Sequence, residues 1–70
     1  MRSIIRTHGI RERIMEDLIE LNGFHEVTDR EINLVTQPEW KAILSKHYPQ
    51  MNLEGKHVSV DLDEEIIILD

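Results

Sequence analysis

The chain has no cysteine, only three glycines and two prolines, and one residue each of Trp, Tyr and Phe. Without cysteine it forms neither disulfides nor thiolate ligands, which fits a reducing compartment. Its longest apolar run, Ile66–Leu69, is far shorter than the roughly 18 residues that a membrane-spanning helix needs. The apolar stretch of a signal peptide is also missing near Met1. We therefore expect a cytoplasmic protein, either bacterial or virus-encoded and intracellular.

The second feature is segregated charge. Seventy residues allow one small domain, which buries roughly 60% of the surface of its unfolded chain and gains from oligomerisation. The formal net charge is -6 at pH 7. Four arginines lie near the N-terminus, whereas no Lys or Arg follows Lys56. An acidic chain disfavours long-range attraction to nucleic acid phosphates and favours basic protein partners.

Two six-residue segments, 27–32 and 35–40, carry nearly the same pattern: apolar, Thr, two variable residues, Glu, apolar. In such a capping box the threonine hydroxyl accepts a hydrogen bond from the backbone N–H three residues later. The glutamate accepts one from the backbone N–H of the threonine. The pattern predicts helix starts at Thr28 and Thr36, and therefore two helices joined by a tight corner.

Hydrophobic periodicity predicts three helices. The first is expected to end at Gly23, the second to cover residues 29–34, and the third to end before Pro49. The apolar positions expected to be buried on the first and third helices are Ile10, Ile14, Leu18, Leu21, Trp40, Ile43, Leu44 and Tyr48.

Two strands are predicted after the helices. Residues 58–62 alternate apolar and polar side chains, and Ile66–Leu69 is a β-branched apolar run. Ser3–Arg6 fits either a first helical turn or a short strand, and residues 24–27 fit a short extended piece. The expected fold class is α+β, one domain over residues 1–70, with three helices followed by a C-terminal β-hairpin. This order resembles the winged-helix topology, with a helix-turn-helix core.

No arrangement of residues indicates catalysis, so we expect a protein that is not an enzyme and needs no cofactor. The serines lie outside any G-x-S-x-G turn, and the glycines are too scattered to form a phosphate-binding loop. No two histidines are three or four residues apart, so no metal site is predicted. The histidines are His8, His25, His47 and His57.

A DNA-binding function is the alternative that the topology suggests. The third helix would read the DNA and the hairpin would form the wing. The candidate contacts on that helix are Lys41, Ser45 and Lys46, a thin electrostatic footprint, and the hairpin would bring acidic residues close to phosphates. The alternative is therefore a dimeric winged-helix regulator of transcription.

The acidic hairpin favours a protein partner, and a basic one. Alternate residues of the last strand point to opposite faces, and a hairpin packed on helices buries only one face. One apolar pair is then left for a partner or a second copy of the chain, unless the segment around Ile4 and Ile5 covers it. We expect a small acidic regulatory or adaptor module that binds another protein, occlusion being one mode, and dimerises through its C-terminal strand. The predicted partner-binding residues are Asp61, Asp63, Glu64, Glu65, Ile67 and Leu69.

Overall fold

A computed structural model describes residues 1–70, which form three helices and a three-stranded antiparallel sheet. The predicted α+β class and its C-terminal hairpin are confirmed, whereas residues 24–27 form no strand. The elements are β1 (Ser3–Arg6), α1 (Ile10–Leu21), α2 (Asp29–Asn33), α3 (Gln37–His47), β2 (Val58–Asp61) and β3 (Ile66–Leu69).

The sheet has the order β1-β3-β2, so β3 is its central strand and β1 and β2 are its edges. In the register, Leu69 lies opposite Ser3 on one side and opposite Val58 on the other. Ser3–Arg6 is thus a strand and not a helical turn. Because β1 takes up the backbone groups on that side of β3, the C-terminal strand has no free edge through which a second copy could pair.

The two faces of β3 have different surroundings. Ile67 and Leu69 face the helices and are 0% and 4% exposed. The prediction that these two residues contact a partner is therefore wrong, because the domain's own core needs them. Ile66 and Ile68 are the pair left on the outer face, where both are half-buried.

The core fills the space between the inner face of the sheet and the helices α1 and α3. Trp40 joins it as predicted, with 5% exposure. Leu21 does not, because it borders an open groove beside α3 and is 41% exposed. The fully buried side chains are Ile10, Ile14, Leu18, Leu44, Val58 and Ile67.

Both predicted helix starts are confirmed, and the box at Thr36 is complete. Oγ1 of Thr36 accepts from the N–H of Glu39 at 3.3 Å, and Oε1 of Glu39 accepts from the N–H of Thr36 at 2.9 Å. At Thr28, Oγ1 accepts from the N–H of Glu31 at 3.4 Å. The Glu31 carboxylate, however, accepts from the threonine hydroxyl and not from its backbone, so the first box is half-formed.

The side chain of Gln37 acts as an additional rung beside β2. Its Nε2 donates to the carbonyl of Val58 at 2.8 Å, and its Oε1 accepts from the N–H of Val58 at 2.8 Å. The amide of Gln37 thus makes the two hydrogen bonds that a further strand would make with Val58 of the edge strand β2. The Gln37 rung ties the first turn of α3 to the sheet and closes the edge of β2 at Val58.

Candidate functional site

The acidic residues predicted to bind a partner lie at the end of β2 and in the turn that joins it to β3, and most of them make contacts within the chain. Oδ1 of Asp61 accepts from the N–H groups of Asp63 and Glu64 at 3.1 and 3.0 Å. Oδ1 of Asp63 lies 3.1 Å from a guanidinium nitrogen of Arg11. Only the side chain of Glu64 makes no hydrogen bond or ion pair. The turn therefore uses part of its negative charge to fix its own shape.

Glu65 joins this turn to the start of α1. Its Oε1 accepts from the N–H of Gly9 at 3.0 Å, and its Oε2 lies 3.5 Å from Nδ1 of His8. A carboxylate at a helix N-terminus is stabilised by the helix dipole. The backbone of Glu65 is left-handed, with φ of 56°, and its carbonyl accepts from the N–H of Thr7 at 2.8 Å. We attribute to Glu65 a structural role.

The residues predicted to contact DNA all lie on α3, and one of the two lysines is engaged elsewhere. Nζ of Lys46 lies 3.1 Å from Oδ1 of Asp17 on α1. Ser45 is exposed and Lys41 is half-buried, and neither side chain makes an ion pair or hydrogen bond. This face therefore offers one cation that no carboxylate of the chain balances.

Sequence reasoning missed the cluster of Asp17, Lys46 and His47 between α1 and α3. Nε2 of His47 lies 2.8 Å from Oδ2 of Asp17, whose side chain is 14% exposed. Burial raises the pKa of Asp17, but hydrogen bonds from His47 and Lys46, together with their charges, outweigh it and leave that pKa below its ordinary value. Only the contact in space identifies the cluster, since Asp17 lies 29 and 30 residues before its partners in the sequence.

This cluster has the form of a carboxylate-oriented histidine, but it lacks a nucleophile. No hydroxyl group bonds to the ring of His47, and the chain has no thiol. These contacts join α1 to α3, and we call the cluster the interhelical clamp.

A second feature missed from the sequence lies where α1 ends and α2 turns into α3. Five large apolar side chains of the protein are exposed, and three of them belong to this region: Leu21, Phe24 and Leu34, at 41%, 76% and 69%. We call it the helical-end surface and include its acidic neighbours. Its members are Glu20, Leu21, Phe24, Glu31, Leu34 and Glu39.

Two adjoining grooves cross the helical-end surface and share Leu21 and Glu39. The larger, of about 520 Å³, runs between α1 and α3. The smaller, of about 170 Å³, is also lined by Glu31 and Leu34. The one cation along them is Lys46, which Asp17 already pairs. The larger groove is therefore mainly apolar, and the glutamates that line the two grooves, Glu20, Glu31 and Glu39, give them a negative charge.

Glu39 carries a negative charge under neutral conditions. Its hydrogen bond from the backbone of Thr36, with a further one from the threonine hydroxyl, lowers its pKa. The last turn of α1 contains no basic residue, so the negative end of its dipole adds to the charge of Glu20. The same box that starts α3 thus keeps the rim of the grooves anionic.

Phe24 adds backbone strain to this surface. It follows Gly23 with a second left-handed conformation, φ of 66°, in a chain where only Glu65 among non-glycine residues shares that feature. Its N–H donates to the carbonyl of Ile19 at 2.8 Å, which closes the end of α1. A left-handed residue with a side chain costs roughly 1–2 kcal/mol, and Phe24 recovers little of that by burial.

The histidines do not gather into a metal site, and no group of three or more His, Cys, Asp or Glu side chains is placed to hold a metal ion. None of the helices combines the length and the apolar character that a membrane crossing requires. Comparison with models of protein families, with curated proteins and with solved structures found no match.

Proposed function

We propose that this chain is a non-enzymatic protein-binding module, and that its helical-end surface takes a basic amphipathic helix of another protein. The observation that carries the proposal is the coincidence of exposed apolar side chains with an anionic rim. Leu21, Phe24 and Leu34 lie outside the core. Glu20, Glu31 and Glu39 line the grooves together with Leu21 and Leu34. Exposed apolar groups rimmed by charge are typical of interaction sites.

The shape and charge of the grooves indicate the mode of binding. An amphipathic helix lays one apolar face into a groove and anchors it by residues one turn apart. Leu21 and Leu34 would contact those anchors, while lysines or arginines beside them would meet the glutamates of the rim. Charge complementarity of this kind raises the association rate and excludes acidic competitors. A module of this kind serves as an adaptor or occludes a basic surface.

The acidic turn between β2 and β3 is a weaker candidate for the same partner. Asp63 is already paired with Arg11, and Glu65 is bound to the start of α1. Glu64 remains free to add long-range attraction. We assign the contact to the helical-end surface and give the turn an accessory role.

The test uses two synthetic helical peptides, one built from Leu and Lys and the other from Leu and Glu. We expect the Leu–Lys peptide to shift the amide NMR signals of Leu21 and Leu34, and the Leu–Glu peptide to leave them unchanged. Leu34→Ser should weaken binding about tenfold. The matched control is Ile4→Ser, which removes another strongly exposed apolar side chain on the sheet. Equal binding by Leu34→Ser and the wild type would refute the assignment.

DNA binding by a winged-helix dimer remains the alternative function. The order α1, α2, α3, β2 and β3 agrees with that resemblance, but β1 precedes it. The charge of α3 gives the alternative little support, since Lys46 is paired with Asp17.

A further inference from the structure

The two edges of the sheet differ in what covers them. The Gln37 rung covers the edge of β2 at Val58, whereas no side chain bonds to the outer edge of β1. In an antiparallel ladder, alternate residues direct both backbone groups towards the same neighbour. The N–H of Thr7 donates to Glu65 on the β3 side at 2.8 Å. By that alternation, the backbone groups of Ile4 and Arg6 point away from the sheet and are unpaired.

Both sides of this open edge are apolar. On the helix side lies a pocket of about 480 Å³. On the outer side, Ile4 is 61% exposed and lies opposite the half-buried Ile68. A strand placed beside β1 would direct alternate side chains into the pocket and onto this outer face. The residues lining the pocket are Ile5, His47, Tyr48, Pro49, Gln50 and Met51.

The charge of Arg6 favours an acidic residue on a strand that pairs with this edge. The exposed side chain of Arg6 makes no ion pair, whereas Arg2, which precedes β1, pairs with Asp70 at 3.2 Å. On the outer face Arg6 lies opposite Ile66 of β3, so no carboxylate of the sheet is its direct neighbour. A residue across from Arg6 on an added strand would lie beside its guanidinium. A carboxylate there would gain a charge-assisted hydrogen bond.

We propose that β1 accepts an extended segment of another protein as a fourth, antiparallel strand. The segment carries an acidic residue opposite Arg6 and apolar residues opposite Ile5 and Ile4. A second copy of β1 matches the edge less well. With Ile5 opposite its own copy, the two Arg6 side chains share a face as diagonal neighbours, and like charges repel. This edge is separate from the helical-end surface, so either proposal can fail without the other.

The probe is an acetylated and amidated peptide of sequence Thr-Glu-Leu-Val-Thr-Thr, whose Glu falls opposite Arg6 and whose Leu falls opposite Ile5. We expect it to shift NMR signals of β1 and of Tyr48 and Met51. Methylating the backbone nitrogen of its Glu or Val, which points at β1, should weaken binding about fivefold or more. Methylating the Leu nitrogen, which points away, is the matched control and should be tolerated. Equal effects of the three methyl groups would overturn strand addition.

A charge swap tests the role of Arg6. Arg6→Glu should weaken binding of the Glu peptide about tenfold, and a peptide with Lys in place of Glu should bind that variant and not the wild type. Because Arg6 is exposed and unpaired, the variant should unfold at the same urea concentration as the wild type. If affinity changes neither with the charge at position 6 nor with the charge on the peptide, the proposal that the added strand carries an acidic residue is overturned. A dimer in sedimentation equilibrium, lost in Ile5→Lys while that variant stays folded, would overturn it too and assign the edge to a second copy.

Discussion

Asp17 and His47 are joined across the two long helices by a contact of 2.8 Å between Oδ2 and Nε2. Lys46 donates to the other oxygen of the same carboxylate at 3.1 Å. One acidic side chain of α1 is thus held by two consecutive residues at the end of α3. The position of α3 relative to α1 depends on this clamp as well as on the apolar core.

The clamp predicts a loss of stability in acid. The folded-state pKa of Asp17 is lowered, so its contribution is fully present above the unfolded pKa of about 3.9. It is lost as the pH falls through the lower folded pKa. Asp17→Asn should cost about 1.5–3 kcal/mol at neutral pH, and the difference from the wild type should shrink below about pH 4. Urea denaturation at several pH values measures it.

The control for this prediction is Glu16→Gln, which removes a neighbouring exposed carboxylate that has no partner. It should change the free energy of unfolding little at any pH. If Asp17→Asn and Glu16→Gln have the same small effect at neutral pH, the clamp contributes nothing to stability.

The two helix caps should differ in strength. Thr36→Ala removes a complete capping box and should lower stability by about 1–2 kcal/mol, whereas Thr28→Ala, at a half-formed box, should cost nearer 0.5 kcal/mol. Ser45→Ala, in the exposed interior of α3, serves as the reference for a lost hydroxyl without a cap. Midpoints of urea unfolding that fall in the opposite order would contradict the hydrogen bonding described for these caps.

Gln37→Leu should destabilise the protein by about 1–3 kcal/mol, because it leaves the N–H and C=O of Val58 without partners. Gln37→Glu should also destabilise it, since a carboxylate can accept from the N–H but cannot donate to the carbonyl. Hydrogen exchange at the Val58 amide should accelerate in Gln37→Leu. The exposed Gln50 provides the control, and Gln50→Glu should change neither the exchange nor the unfolding midpoint.

Neighbouring residues of β3 should respond unequally to truncation. Ile67→Ala empties a fully buried site and should cost about 2–5 kcal/mol. Ile66→Ala, on the half-buried outer face, should cost clearly less. Differential scanning calorimetry of the two variants compares their melting temperatures directly. A larger loss for Ile66→Ala would mean that the two faces of β3 have been exchanged.

The free domain should not bind duplex DNA tightly. The acidic turn and the single unbalanced lysine of α3, Lys41, predict weak binding that falls steeply as salt increases. Fluorescence anisotropy with labelled duplexes measures this at physiological salt. A nanomolar, sequence-selective complex that Lys41→Ala weakens would reverse the ranking of the two functions.

Local sequence patterns were sufficient to predict the helices and the hairpin. Thr28 and Thr36 carry cap signals within a few residues, and Gly23 and Pro49 mark helix ends in the same local way. The pairing of β1 with β3 lies beyond such reasoning, because four residues have no readable period and their partner is at the other end of the chain. Which face of β3 is buried follows from its register with β2, where Leu69 lies opposite Val58 and Ile67 opposite Val60, and the sequence leaves that register open.

The candidate surfaces were less predictable than the fold. Leu21 continues the apolar stripe of α1, and only the path of α3 decides that it borders a groove. The acidic turn looked free because its partners, Arg11 and the N–H of Gly9, are distant in sequence. The exposure of a side chain and the pairing of its charge depend on which distant segments come into contact. Helix caps depend only on neighbours along the chain.

The central place of β3 also fixes the order of events on the ribosome. Every other element leaves the tunnel earlier, so a nascent chain can form its helices while β1 and β2 have no strand between them. Ile4 and Ile5 stay unpaired until their partners Ile68 and Ile67 have been synthesised. Contacts of such long sequence separation form slowly, and exposed strand segments invite aggregation in the interval. The positive charges of Arg2 and Arg6, which flank the two isoleucines, would oppose aggregation of this unpaired segment.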